Sequence, residues 1–239
     1  MTAQSLAEAI ELLDRAIAMS PDYAGALAHA AMCRAMRPIH GFSPDIDNDF
    51  REAAELSRRA LDSDPTDPLA LSSAAFTTAL LRRDYQASWD LIDRSLAIDP
   101  NNAIARGTRG WISVWAGEIE MAIVGFENAM RLSPLDPQWG STFKHGMALA
   151  LCVGGRPEEA LPWVRRAVQE RPDWSAAHRS LIAVLWLSGQ RTEAREAATK
   201  YVKMVPGFSV RRARELSPAR GTSGQERYFD ALREAGLPE

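Results

Sequence analysis

Cysteine is nearly absent, with Cys33 and Cys152 far apart in a chain of 239 residues. So sparse a pair cannot form a disulfide framework, and the expectation is a reducing, cytoplasmic compartment. An excess of either charge is also missing, since 28 Lys and Arg face 31 Asp and Glu, a formal net charge of −3. That balance offers no basic surface for nucleic acid, and no run of like charge marks a disordered tail. No apolar run nears the ~18 residues that span a bilayer; the longest, Leu181 to Leu187, stops at Ser188 and Gly189. The opening MTAQSLAEAIELLDRAI sets acids among its apolar residues, as an amphipathic helix does and a signal peptide does not. There is no glycine-rich phosphate loop after a strand, no GxSxG, no HExxH and no paired CxxC, and no segment alternates as a strand would.

What the chain does contain is an internal repeat. Pro21, Pro65, Pro100, Pro134, Pro172 and Pro206 are separated by 44, 35, 34, 38 and 34 residues. Each closes a similar phrase, among them EAIELLDRAIAMSP, EAAELSRRALDSDP, EMAIVGFENAMRLSP and EEALPWVRRAVQERP. Within them, Ala9/Leu13/Ala16, Ala122/Phe126/Ala129 and Ala160/Val164/Ala167 share one spacing, which lies on one face of a helix. Small residues there admit a neighbouring helix, and the proline ends the phrase. A weaker phrase places Gly117, Gly155 and Gly189 at a turn between two helices, with small residues seven positions earlier at Gly110 and Ala148 and, more loosely, Ile182. Acids or Pro157 follow these turns, as the first turn of a helix favours.

These phrases, over roughly residues 3–206, resemble tetratricopeptide repeats, whose period is about 34 residues. The resemblance implies an all-α solenoid, a right-handed superhelix of antiparallel helix pairs. The domain reading is a half repeat at 3–21, then about five repeats, with a loop insertion near 37–49 and capping helices over 207–239. A second insertion, SPLDPQW, lengthens the link before the fourth repeat. The half repeat lacks its first helix: the expectation is an upstream domain that was lost or lies outside this sequence, and the alternative is a natural single capping helix. RGTRGWISVWAGEIEMAIVGFENAMRLSPLDP and ERYFDALREAGLPE further resemble the C-terminal repeat region of bacterial class III adenylate cyclases and related alpha-proteobacterial regulators.

No constellation of acids, nucleophile or metal ligands stands out, so no enzymatic activity, no cofactor and no metal are expected. His29 and Cys33 share a helix face but lack further ligands, and His145, Cys152 and His178 read as packing residues. Arg211, Arg212 and Arg214 read as a solvated face of the cap. In the family, first helices line the concave surface. Carried over residue by residue, that register assigns Met32, Phe76, Trp111, Trp115, Leu149, Arg179 and Trp186 to a protein-binding face. Family members that clamp a peptide carboxylate use Lys and Asn, where this chain has Gly107, His145 and small residues.

The expected function is that of an interaction scaffold, the regulatory or sensory C-terminal part of a larger signalling protein. The alternative is the repeat domain of an adenylate cyclase whose activity lies upstream. The partner expected is a protein or peptide, such as an apolar helix or a domain of the same polypeptide. Self-association is compatible with this reading, and neither nucleic acid nor membrane is expected. The aromatic face either lies open or is filled by packing between neighbouring helices.

Overall fold

The computed structural model describes residues 2–136, 139–219 and 221–239, and among them has thirteen helices and no strand. The first seven are α1 (Ala3–Met19), α2 (Ala24–Ile39), α3 (Ile46–Ser63), α4 (Pro68–Arg82), α5 (Tyr85–Ile98), α6 (Ala103–Ala116) and α7 (Ile119–Leu132). They are followed by α8 (Trp139–Val153), α9 (Pro157–Glu170), α10 (Ser175–Leu187), α11 (Arg191–Met204), α12 (Val210–Leu216) and α13 (Ser223–Glu234). In chain order α1 stands alone, α2 to α11 alternate as first and second helices, and α12 and α13 close the chain.

The periodic prolines terminate helices as the sequence predicts. Helices α1, α3, α5, α7, α9 and α11 each end two residues before one of them. Proline disfavours the helical region for the residue ahead of it. Ser20, Asp64, Asp99, Ser133, Arg171 and Val205 accordingly take φ between −146° and −128°. The first-to-second turns obey the other rule. Gly117, Gly155 and Gly189 have φ of 86°, 82° and 80°, a region open to glycine at little cost. The N–H groups of Glu118, Arg156 and Gln190 then reach back to the carbonyls of Ser113, Leu151 and Leu185 at 2.8–2.9 Å, the closure of a Schellman motif. Arg83 holds the same turn after α4 at φ 55° without a glycine.

Helix reaches into both sides of the segment read as an insertion at 37–49. Pro38 lies within the last turn of α2, and α3 begins at Ile46, so the non-helical link is residues 40–45. Gly41 (φ 75°) with the Phe42 N–H to Arg37 carbonyl bond closes α2, and the Asp45 carboxylate caps α3 on the Asn48 N–H at 3.0 Å. In the SPLDPQW segment, the Asp136 carboxylate caps α8 on the Trp139 N–H at 2.8 Å, while Pro137 and Gln138 lie outside the described residues.

The chain divides into two compact units, residues 1–112 and 113–239, with the division inside α6. In the first unit α2 packs on α1, α3 and α4, and α5 packs on α4. Its core is rich in alanine (Ala28, Ala30, Ala31, Ala60 and Ala70, with Leu27 and Leu56), and hydroxyls bind across the close approach. Ser73 donates to the Ala28 carbonyl at 3.0 Å and Thr77 to Ser57 at 3.0 Å. Arg34, buried in α2, joins three helices through Asp14 of α1 at 2.8 Å and Glu52 of α3 at 2.5 Å.

In the second unit α7, α8, α9, α10 and α11 pack each on the next. The faces expected to be apolar are fully buried: Ala122, Phe126 and Ala129 on α7, and Ala160, Val164 and Ala167 on α9. Gly146 of α8 makes room for Phe126, since a Cβ there would lie 2.3 Å from the ring. On α1, which packs on α2, Ala9 and Ala16 of the same pattern are half-buried.

Candidate protein-binding site

All seven residues assigned to a binding face lie on first helices: Met32 on α2, Phe76 on α4, Trp111 and Trp115 on α6, Leu149 on α8, and Arg179 and Trp186 on α10. Met32, Phe76, Trp115 and Trp186 are only 7–8% exposed, whereas Trp111, Leu149 and Arg179 are half-buried. Met32 and Phe76 belong to the first unit, and Leu149, Arg179 and Trp186 to the second. The division between units separates Trp111 from Trp115.

In the second unit something occupies this face, namely helix α13, which packs along α8 and α10. On α8 the helical spacing puts His145, Leu149 and Val153 in one stripe, and on α10 it does the same for Arg179, Ala183 and Trp186. Contacts run the length of the helix. At its start the backbone comes so near α8 that a Cβ on Gly224 would lie 2.0 Å from the Val153 carbonyl oxygen. Next, Arg227 donates to that carbonyl at 3.5 Å. In the middle, the Tyr228 hydroxyl lies 3.3 Å from Ser180 Oγ, which pairs with His145 Nε2 at 2.8 Å. The His145 ring meets Trp174 edge-on, with centroids 4.7 Å apart. At its end, the indole N–H of Trp186 donates to Glu234 at 2.9 Å, and Arg191 and Arg195 lie over the Trp186 ring at 4.9 and 5.3 Å. Tyr228, Phe229, Ala231 and Leu232 of α13 are buried.

The electrostatics follow from this cover. Burial works against the Arg179 charge, but the hydroxyls of Tyr228 and Tyr201 beside it more than compensate and raise its pKa. Burial also pushes the Cys152 thiol of α8 up to about 12, with the charge of Arg227 on α13 opposing. Such a thiol is protonated and inert while covered.

Two of the other singled-out groups have local backbone partners. His29 Nδ1 pairs with the Gly25 carbonyl at 2.9 Å and His178 Nε2 with that of Pro172 at 2.8 Å. Among the described residues no group of three or more His, Cys, Asp or Glu could hold a metal ion. No helix of the described residues is long and apolar enough to cross a membrane. Sequence reading missed Tyr228 and Glu234 as partners of the face. Their one available signal was a buried-looking stripe at Tyr228, Leu232 and Ala235 in a segment outside the repeat.

No family model matches the sequence, and no curated protein does either. Solved structures do resemble the fold. PilW, a type IV pilus biogenesis factor, aligns at a TM-score of 0.61 and 20% identity over 87% of this chain and 93% of its own. PilF of Pseudomonas aeruginosa aligns at 0.58 and 15% identity over 86% and 90%. YrrB, a TPR protein with an unusual peptide-binding site, aligns at 0.51 and 20% identity over 76% and 91%. The chain therefore has the all-helical fold of tetratricopeptide-repeat proteins.

Proposed function

We propose that this chain is a protein–protein interaction module that presents the first helices of its repeats to a protein or peptide partner. The observation that carries the reading is the fit of α13 against α8 and α10, an apolar and aromatic face crossed by a few directed polar contacts. A surface that buries large aromatics with such contacts is suited to recognising another helix. YrrB, a structural neighbour, is described as having a peptide-binding site, which agrees with this use of the fold. No enzymatic role is assigned. On the resemblance of residues 106–137 and 226–239 to the C-terminal repeat region of bacterial class III adenylate cyclases and related regulators, we place the chain in the regulatory part of a larger signalling protein.

The test is photo-crosslinking in the native cell. A crosslinking amino acid replaces Trp111 or Leu149 on first helices, or the exposed Val124 or Glu196 on second helices. Protein adducts from the first pair and none from the second are expected. Equal yields from both, or adducts from second helices alone, would overturn the reading. Turnover of ATP or GTP by the purified chain, abolished by one point mutation, would overturn the non-enzymatic assignment.

A further inference from the structure

We propose that α13 is an internal stand-in for the partner. On this view the α8–α10 face binds an amphipathic helix of α13's chemistry from another protein, which takes the place of α13. This deepens the reading above and rests on it.

The packing sets α13 apart from its neighbours. Helices α7 to α11 each pack on the next in sequence, whereas α13 spans α8 and α10 from outside that series. It also carries its own support. Arg214 of α12 reaches Glu226 at 3.5 Å and Asp230 at 3.2 Å and lies over the Phe229 ring at 5.6 Å. The Val210 N–H binds the Pro238 carbonyl at 2.8 Å, which ties the start of α12 to the tail beyond α13. Helix α12 is thus tied to α13 and to the tail beyond it, and on this view the two helices leave the face together.

The contacts define the partner. Its helix needs a small residue where Gly224 meets the Val153 backbone, because any side chain there collides with α8. A hydroxylated aromatic one turn later answers Ser180 and Arg179, as Tyr228 does. An aliphatic residue four positions beyond it matches the fully buried Leu232. A carboxylate near the C-terminus meets the Trp186 N–H, with Arg191 and Arg195 close by. An acid in the last turn opposes the helix dipole, so Glu234 disfavours α13 as an isolated helix, and its benefit lies in the contact. A ligand that must displace an internal competitor binds more weakly by the fraction of time the face is free. The α12–α13 pair therefore sets the affinity threshold that a partner has to exceed.

The experiment uses the full chain, unaltered and as Gly224→Val, with a fluorescent peptide of residues 222–239 as probe. Maleimide labelling is read by mass spectrometry at Cys152, with half-buried Cys33 as internal reference. In the unaltered chain slow labelling of Cys152 and weak peptide binding are expected. In Gly224→Val both should rise by about tenfold or more, and saturating peptide should restore protection of Cys152. Should Gly224→Val lose helical circular dichroism, Leu232→Ala replaces it with the same readouts. Unchanged labelling in a folded variant overturns the proposal, as does fast labelling without peptide binding. Protection that returns with protein concentration alone, together with dimers, also overturns it in favour of a second copy as occupant. First-helix crosslinks in the cell without peptide binding here would overturn this inference and leave the broader function standing.

Discussion

Gly146 gives the most exacting test of how the second unit is packed. A Cβ at this position would lie 2.3, 2.5 and 2.9 Å from three ring atoms of Phe126, a side chain with no exposed surface. Overpacking of this kind costs about 3 kcal/mol at its upper range. Alanine returns about 1 kcal/mol through helix propensity. Gly146→Ala should thus destabilise by about 2 kcal/mol, or roughly 4–8 °C in Tm for a chain of this length. The reasoning is sharpest as a cycle with Phe126→Leu, which removes the ring atoms that collide. Alone, that substitution should cost about 1 kcal/mol. In its background Gly146→Ala should become neutral or slightly stabilising, a coupling of about 2–3 kcal/mol. Thermal and urea unfolding of the four proteins measures it. An equal cost of Gly146→Ala in both backgrounds would refute the claim that α7 and α8 approach through this pair.

Trp115, at 7% exposure, should behave as a core residue: Trp115→Gln is expected to cost about 3–5 kcal/mol by chemical denaturation. A change below about 1 kcal/mol would return it to an open face. Arg34→Met, which strips the tie between α1, α2 and α3, should cost about 1–3 kcal/mol. Arg58→Met, at the exposed pairs with Glu55 and Asp62, should leave Tm unchanged. Arg34→Lys should recover only part of the loss, because a single ammonium cannot reproduce the fork that holds both carboxylates. Acid should loosen both units. The hydrogen bond from Arg34 chiefly holds the Glu52 pKa below 4.5. Burial raises the Glu170 pKa, but bonds from Lys144, Arg166 and Ser141 outweigh it and leave a net lowering. Folded values below the unfolded ones mean full stabilisation above about pH 4.5 and loss as pH falls through the folded values. A Tm that stays level from pH 6 to pH 3 would contradict this.

Much of the fold was legible because its punctuation is local. A proline acts on the residue before it and a glycine on its own φ, so Pro100 or Gly155 announces a helix end without any knowledge of tertiary contacts. The rule failed to flag the turn after α4, where Arg83 adopts the left-handed conformation in place of a glycine. It also misplaced Pro38, because a proline in a last turn deprives the helix of a single internal N–H and need not break it. The candidate face was legible only in part. The family register placed Leu149 and Trp186 on first helices, but the helix that meets Trp186, α13, has no repeat partner to reveal its placement. Contacts such as Trp186 to Glu234 span 48 residues, and pairing at that range depends on the whole fold.

The most direct test of the account is native-state hydrogen exchange on the intact chain. If α13 is a separable occupant of the α8–α10 face, amides of residues 225–234 should exchange through an opening that leaves residues 143–153 and 178–187 protected. Urea should affect that opening less steeply than global unfolding, since only part of the surface is exposed. Exchange of α13 at the same rate as α8 and α10, and with the same urea dependence, would make it an inseparable part of the core and contradict the account.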